Sequence, residues 1–260
     1  MLSRVITVVN SMKHFTNFSL YLQDALGINE RGKETTLNAR DNYKITIRNQ
    51  SIDRHIIAEI IFRDFYRLHD LDNSKIRTII DVGAHIGVFS IYAASLFPEA
   101  NIYAFEPENN NFARLKNNIL QNNFNIMGFD YGLGSDNKEV ELYLSTQNES
   151  GHSIYNFGAS RPTQQIEIRT IESAWLENGI SQCDLLKLDC EGAEYDIIYS
   201  LNEDMLSKIS TIVGEIHTID KEHRNIDNLS KYLKDRSFSV YSEKYQLMGE
   251  GIYLLKADKS

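Results

Sequence analysis

Cysteine, proline and basic charge are all scarce in this chain, and each shortage excludes something. Two cysteines in 260 residues, Cys183 and Cys190, cannot form a disulfide framework, and their spacing fits no metal or redox motif. Cys183 sits in an apolar strand pattern, so buried free thiols in a reducing compartment are expected, with the cytoplasm as the default location. Three prolines and no Ser/Gly-rich tract leave no long linker, so one large α/β domain, or one domain with an extension, is expected. The division read from the pattern is an extension over 1–72 and a main domain over 73–260. Lys plus Arg number 27 against 36 acids, a net charge of −9, which argues against a nucleic-acid backbone as the main partner. No apolar run reaches the roughly 18–20 residues that span a bilayer. The stretch Met1–Leu26 mixes apolar residues with Arg4, Lys13, His14 and Asp24, and is expected to form an amphipathic helix packed on the domain.

What the chain does have begins at Thr78. Thr78-Ile79-Ile80-Asp81 reads as a β-branched strand ending in an acid. A glycine turn follows, and Ile86 to Phe97 reads as a helix with apolar residues at Phe89, Ala93, Leu96 and Phe97. Such a strand–turn–helix unit brings backbone close to a bound nucleotide or nucleoside. A second strand, Asn101–Phe105, leads into Glu106, whose carboxylate can accept two ribose hydroxyls. The glycines are Gly83 and Gly87, with His85 between them, so the G-x-G-x-x-G dinucleotide fingerprint fails and a nicotinamide oxidoreductase is disfavoured. Asp81 also opposes a pyrophosphate, and suits a ligand carrying ammonium and sulfonium charge. The D-x-G-x-x-x-G pattern followed by an acid looks like the S-adenosylmethionine site of class I methyltransferases.

Around this unit, Gly27–Asn42 reads as a polar loop and Tyr43–Arg48 as a short strand. Ile52–Leu71 reads as one amphipathic helix, with Ile56, Ile57, Ile60, Ile61, Phe65 and Leu68 at helical spacing. Strands and helices then alternate to the C-terminus, with a hairpin inserted between Tyr131 and Arg169 and a terminal hairpin closing the sheet. The expected fold is α/β and Rossmann-like: a mostly parallel seven-stranded sheet with one antiparallel strand and an N-terminal helical extension.

A second cluster lies at Leu185–Glu194. Lys187, Asp189 and Glu191 fall at every second position, so a strand continuing that far would put all three on one face at its C-terminal end. Charges there are costly unless paired or used. Glu215 and His217 end the next strand in the same way. Methyl transfer is an in-line displacement in which positioning supplies much of the rate, and an alcohol acceptor gains from a base. His217, with an ordinary pKa near 6.5, is the candidate base. Alternatively Asp189, Glu191, Glu215 and His217 hold a divalent cation that acidifies the hydroxyl.

Together Ile80–Gly87, Phe105-Glu106-Pro107, Gly132-Leu133-Gly134-Ser135, Leu185–Glu194 and Glu215-Ile216-His217 resemble the FkbM-type methyltransferases over roughly Ile52 to Leu255. The resemblance implies that Asp81, Gly83 and Gly87, with Ala84 and His85 in the same turn, contact the methionine part of S-adenosylmethionine. It places Glu106 on the ribose and Leu133 beside the adenine. It also implies O-methylation of a hydroxyl on a sugar, glycolipid or related small metabolite. From the strand-end reading, His217, Asp189, Lys187 and Glu191 are the catalytic candidates. His85 departs from the asparagine usual there. His152, Tyr155 and Arg161, in the insertion, are candidate sugar contacts. Two rivals remain: a binding or scaffold protein that kept the fold without turnover, and a nucleic-acid methyltransferase. The second is disfavoured because Cys190-Glu191, not a proline pair, follows the fourth core strand.

Overall fold

A computed structural model describes residues 2–145, 152–154, 162–245 and 251–260. The N-terminal stretch expected as one helix folds as two, α1 (Leu2–His14) and α2 (Phe18–Ala25). The break falls at Phe15–Asn17. Phe15 is fully buried and bridges Ala39, and the Asn17 amide bonds to the backbone of Thr36 and Asn38. The expected loop over Gly27–Asn42 contains a strand, β1 (Glu34–Asn38), paired antiparallel with β2 (Lys44–Arg48). Its threonines made it look like a loop; they are β-branched and polar, which suits a half-exposed ladder.

The single helix expected over Ile52–Leu71 is also broken. A short α3 (Asp53–Ile57) runs into a π-helical turn over Ala58–Phe62, and a 3-10 turn follows at Leu68–Asp70. Asp64 and Arg67 take left-handed backbone, φ 48° and 53°, which no helix continues through. The Asp64 carboxylate accepts the N–H groups of Leu68 and His69 and so fixes the break.

The main sheet follows the expected alternation. In chain order come β3 (Thr78–Val82), α4 (Val88–Leu96), β4 (Asn101–Phe105), α5 (Asn109–Leu120) and β5 (Ile126–Phe129). An insertion then forms β6 (Gly132–Gly134), β7 (Lys138–Tyr143) and β8 (Thr163–Thr170) as a separate three-stranded sheet. The chain continues through α6 (Ile171–Glu177), β9 (Cys183–Leu188), α7 (Glu194–Ser200), α8 (Glu203–Ser207), β10 (Ile209–His217) and α9 (Ile226–Lys234). It ends in β11 (Phe238–Lys244) and β12 (Ile252–Lys259). The seven-stranded order is β11-β12-β10-β9-β3-β4-β5, and β12 alone runs antiparallel to both its neighbours. The strand order reverses between β3 and β9. That is where an open α/β sheet leaves a crevice at its strand ends.

Alternate residues of the central strands feed two cores. Ile79, Ile102, Ala104, Leu185 and Val213 face one side, where Phe89 and Ile91 of α4 and Leu115 of α5 meet Phe15, Tyr21, Ile45, Ile47 and Ile57 of the extension. Ile80, Val82, Phe105, Leu186 and Leu188 face the other, against Trp175, Tyr195, Ile198, Leu229 and Leu233. The extension therefore packs into the core cluster beneath α4 and α5. Side-chain amides seal the joint: Asn118 of α5 and Asn122 just beyond its end exchange two hydrogen bonds each with the backbone of Thr46 and Lys44 respectively, at 2.8–3.0 Å, mimicking a strand along the edge of β2.

Candidate active site

A cavity of about 310 Å³ opens at the C-terminal ends of β3, β4, β9 and β10, within the range of small-ligand sites. Its walls come from four places: the β3–α4 turn, Glu106 after β4, the strand ends of β9 and β10, and side chains of the extension and insertion. The extension supplies Glu59, Phe65 and Tyr66; the insertion supplies Leu142, His152 and Ile168. Tyr155 and Arg161 lie outside the described residues.

At one end, Gly83 (φ 76°) packs so closely on the β9 loop that a Cβ there would lie 1.8 Å from the carbonyl oxygen of Asp189. Only glycine fits. The N–H groups of this turn are used internally. Those of Gly83 and Ala84 both donate to the Phe105 carbonyl, that of Gly87 to Ala84, and that of His85 to the Glu106 carboxylate at 2.8 Å. The turn is therefore no phosphate cradle. Glu106 is 6% exposed and accepts one backbone N–H on each oxygen, from His85 and from Glu108. Each oxygen keeps further lone pairs at the cavity wall, as a ribose diol would require. Burial pushes its carboxyl up to about 7, against the opposing pull of those two N–H groups. Leu133 and Ala84 line the same end.

Two sequence candidates, Asp81 and Gly87, sit behind the cavity wall, and a third, His85, lines it while reaching the extension. Asp81 is fully buried behind the wall, paired with Lys187 Nζ at 3.0 Å and accepting the Ser90 hydroxyl at 2.6 Å. Gly87 faces α5, where an added Cβ would meet Leu115 at 2.7 Å. His85 lines the cavity with left-handed backbone, φ 52°, and its Nε2 lies 3.0 Å from the Arg48 guanidinium. Arg48 in turn grips the buried Asp53 through its backbone N–H and two guanidinium nitrogens, 2.6–3.0 Å. Burial would raise the Asp53 carboxyl, but these Arg48 hydrogen bonds and the nearby His85 outweigh it and hold it below the usual range. Asparagine tolerates left-handed backbone; histidine here does so while reaching the extension.

Lys187 joins the two ends. It is 2% exposed, and besides Asp81 its ammonium donates to the carbonyls of Gly83 (2.8 Å) and Val82 (3.3 Å). Burial alone would lower its pKa, but Asp81 and Asp189 reverse that and raise it, so the cation persists. Its role in this geometry is to brace the turn.

At the other end, the strand alternation expected for Lys187, Asp189 and Glu191 stops early. β9 ends at Leu188, and Glu191 takes left-handed backbone, φ 53°, before Gly192. Asp189 and Glu191 still reach the cavity, but through a turn and not a shared strand face. The sequence reading missed what organises this turn. Glu194, fully buried, accepts the N–H groups of Cys190 and Gly192, both at 3.1 Å, and His217 Nδ1 at 3.1 Å. His217 Nε2 lies 3.4 Å from Glu191 and 3.6 Å from Glu215. Burial would lower the imidazole, yet Glu194, Glu191 and Glu215 override it and hold its pKa at about 10. The surrounding acids thus favour the imidazolium over the neutral base expected from the sequence. Burial and the neighbouring Asp189 push Glu215 up to about 9. The carboxylates surround the imidazole, and among the described residues no three His, Cys, Asp or Glu side chains are arranged to hold a metal ion. The cation set read from the sequence does not fit this geometry.

Tyr66 and Glu59 were also missed. The Tyr66 hydroxyl donates to Asp189 Oδ2 at 3.0 Å, and Glu59 accepts from the Tyr245 hydroxyl at 2.8 Å. Among the described residues, no helix is long and apolar enough to cross a membrane.

Comparison with known proteins gives this arrangement a context. The chain is 26% identical over 232 residues to the AMB antimetabolite synthetase AmbE of Pseudomonas aeruginosa, covering 74% of this chain but only 11% of that protein. It is 27% identical over 140 residues to the hexuronic acid methyltransferase AglP of Haloferax volcanii, covering 53% of this chain and 54% of that one. It is 23% identical over 223 residues to the 31-O-demethyl-FK506 methyltransferase FkbM of Streptomyces tacrolimicus, covering 72% and 84%. The family model described as the methyltransferase FkbM domain matches residues 81–240, from Asp81 near the end of β3 to Val240 in β11, and the chain belongs to that family.

Proposed function

We propose that this protein is an S-adenosylmethionine-dependent O-methyltransferase acting on a hydroxyl of a sugar, glycolipid or other small metabolite. One observation carries the reading. A single cavity joins a buried carboxylate with spare lone pairs, Glu106, to a group of acids and an imidazolium at the ends of β9 and β10. The first end suits a nucleoside diol; the second suits a polar acceptor. S-adenosylmethionine would supply an electrophilic methyl group on sulfur. Glu106 would hold its ribose, Leu133 would border its adenine, and the Gly83–His85 turn would flank its methionine part. The relatives named for hexuronic acid and for 31-O-demethyl-FK506 support an oxygen acceptor.

Because the surrounding acids favour the protonated form of His217, the base role falls to Asp189, which lines the cavity. The imidazolium instead balances Glu191 and Glu194, while Glu215, raised to about 9, stays protonated beside them, so that wall does not repel itself apart.

Calorimetric titration of S-adenosylhomocysteine into wild-type protein and Glu106→Ala tests the cofactor assignment. Micromolar binding by wild type, weakened at least tenfold in the variant, is the expected outcome. A folded wild type that binds neither S-adenosylhomocysteine nor S-adenosylmethionine would overturn the reading, and would favour a scaffold that keeps the fold without turnover.

A further inference from the structure

We infer that Tyr66, contributed by the N-terminal extension, is a positioning residue for methyl transfer: its hydroxyl fixes Asp189 so that Oδ1 meets the acceptor. The inference rests on the reading of the cavity as a methyltransferase site. Two contacts hold the Asp189 carboxylate, the Tyr66 hydroxyl at 3.0 Å and the Lys187 ammonium at 3.7 Å, and both fall on Oδ2. No hydrogen bond among the described residues falls on Oδ1, although Asp189 lines the cavity. One oxygen is anchored and the other is left for a ligand.

The chain around Tyr66 is built for that placement. The π-helical turn Ala58–Phe62 precedes it, a feature that recurs at functional sites. Two non-glycine residues in left-handed backbone, Asp64 and Arg67, bracket Phe65-Tyr66. Such strain persists only where surrounding structure over-determines it. The bracket is locked by Asp64 accepting from Leu68 and His69. The Tyr66 ring is 5% exposed and packs edge-on against Phe89, 5.4 Å between centroids, on the first turn of α4. Neighbouring Phe65 packs edge-on against Tyr245 at 4.8 Å. The Phe65-Tyr66 pair is thus held between the cofactor-side helix and the C-terminal hairpin, and the Tyr66 hydroxyl donates to the Asp189 carboxylate. Burial, with the nearby acids, raises the phenol well above its ordinary value, so it stays a donor throughout the working pH range.

In the transfer step the acceptor oxygen bonds to the methyl carbon, the methyl carbon–sulfur bond breaks, and the hydroxyl proton passes to Asp189 Oδ1. Neutral S-adenosylhomocysteine leaves. A carboxylate that rotates freely would present that oxygen only part of the time, and a hydrogen bond on Oδ2 removes that freedom.

The test is the pH profile of methyl transfer from S-adenosylmethionine to a panel of hydroxylated acceptors, for wild type, Tyr66→Phe, Asp189→Asn and the double variant. Tyr66→Phe should lower kcat by about tenfold, in line with one hydrogen bond. The acceptor KM and the S-adenosylhomocysteine Kd should stay within about twofold, because the lost contact serves the transition state. The acidic limb of the profile should move to higher pH, since a donor on the carboxylate has been removed. In the Asp189→Asn background, Tyr66→Phe should change nothing further. An unchanged limb, or an equal kcat loss in the Asp189→Asn background, would reduce Tyr66 to a packing residue and overturn the inference while leaving the transferase reading intact. A wild type that methylates no member of the panel would overturn both. Should Tyr66→Phe fail to fold, site-specific 3-fluorotyrosine at position 66 keeps the ring shape and strengthens the donor. The limb must then move to lower pH, and a stationary limb overturns the inference.

Discussion

The two ends of the cavity are built in opposite ways. The cofactor end is local: β3, its turn, α4 and β4 lie within 30 residues, and most of its contacts are backbone hydrogen bonds across that unit. The acceptor end is assembled from Glu59 and Tyr66 of the extension, Asp189 to Glu194 after β9, and Glu215 and His217 of β10. Its contacts are charged side chains held near one another at a cost in desolvation. The first end tolerates little change in shape. The second should tolerate changes in shape more readily than changes in charge. A shared cofactor with divergent acceptors would call for this division, because acceptor choice can then drift without disturbing donor binding.

Lys187 touches both ends, so its loss should have the largest effect. Lys187→Met would leave Asp81 as a fully buried charge without its cation, and remove two donors from the turn carbonyls. Breaking such a pair costs about 3–5 kcal/mol. Chemical denaturation should show that loss, and adding Asp81→Asn should restore a large part of it. A Lys187→Met protein with native stability would mean that the two ends are not coupled through this side chain.

Gly83→Ala attacks the cofactor end alone. A Cβ 1.8 Å from the Asp189 carbonyl requires backbone to move, and the positive φ adds strain. Together these should cost about 2–4 kcal/mol and abolish S-adenosylhomocysteine binding in calorimetry. Gly128→Ala is the matched control. Its Cβ would meet the end of the Ile119 side chain at 3.2 Å and the position needs no unusual backbone, so it should bind normally. Equal losses in the two variants would show that the turn is not specially constrained.

This contrast also explains what the sequence could tell. Strand, turn and helix around Asp81–Gly87 follow from residues close in sequence. Gly83 and Glu106 are legible because a tight turn and a strand-end acid leave local marks. The break in the Ile52–Leu71 helix left only a faint one. Its apolar spacing is helical throughout, and Asp64 is merely a residue that tolerates left-handed backbone. Tyr66 therefore read as one more aromatic on a helix face. Glu194 looked like an ordinary first-turn helix acid, although it lies four residues after Cys190, the N–H of which it caps. The charge state of His217 was not legible at all. It depends on Glu191, Glu194 and Glu215 converging on it in space, and no periodicity records that. Asp81, finally, carries the right pattern but spends its charge on Lys187, a partner 106 residues away.

The smallest effect expected is also the one that separates the two ends most cleanly by pH. Glu106, raised by burial to about 7, holds a proton in the folded protein that it would lose near 4.3 when unfolded. Its contribution to stability is complete below about pH 4.3 and lost as pH rises through 7. Ribose hydroxyls donate to the ionised carboxylate, so S-adenosylhomocysteine affinity should rise about tenfold between pH 6 and pH 8, with proton uptake by the buffer on binding. Glu106→Gln should bind weakly and without that slope. His217, raised to about 10 by the surrounding acids, runs on a different schedule. Its stabilising proton is secure below about 6.5 and is lost only as pH approaches 10, so its imidazole resonances should not titrate between pH 6 and 8. If NMR instead shows His217 titrating near 6.5, the acids are not paired with it as the structure shows. The base role would then return to the imidazole. If affinity is flat across the same range while His217 stays silent, the ribose contact is the part that fails.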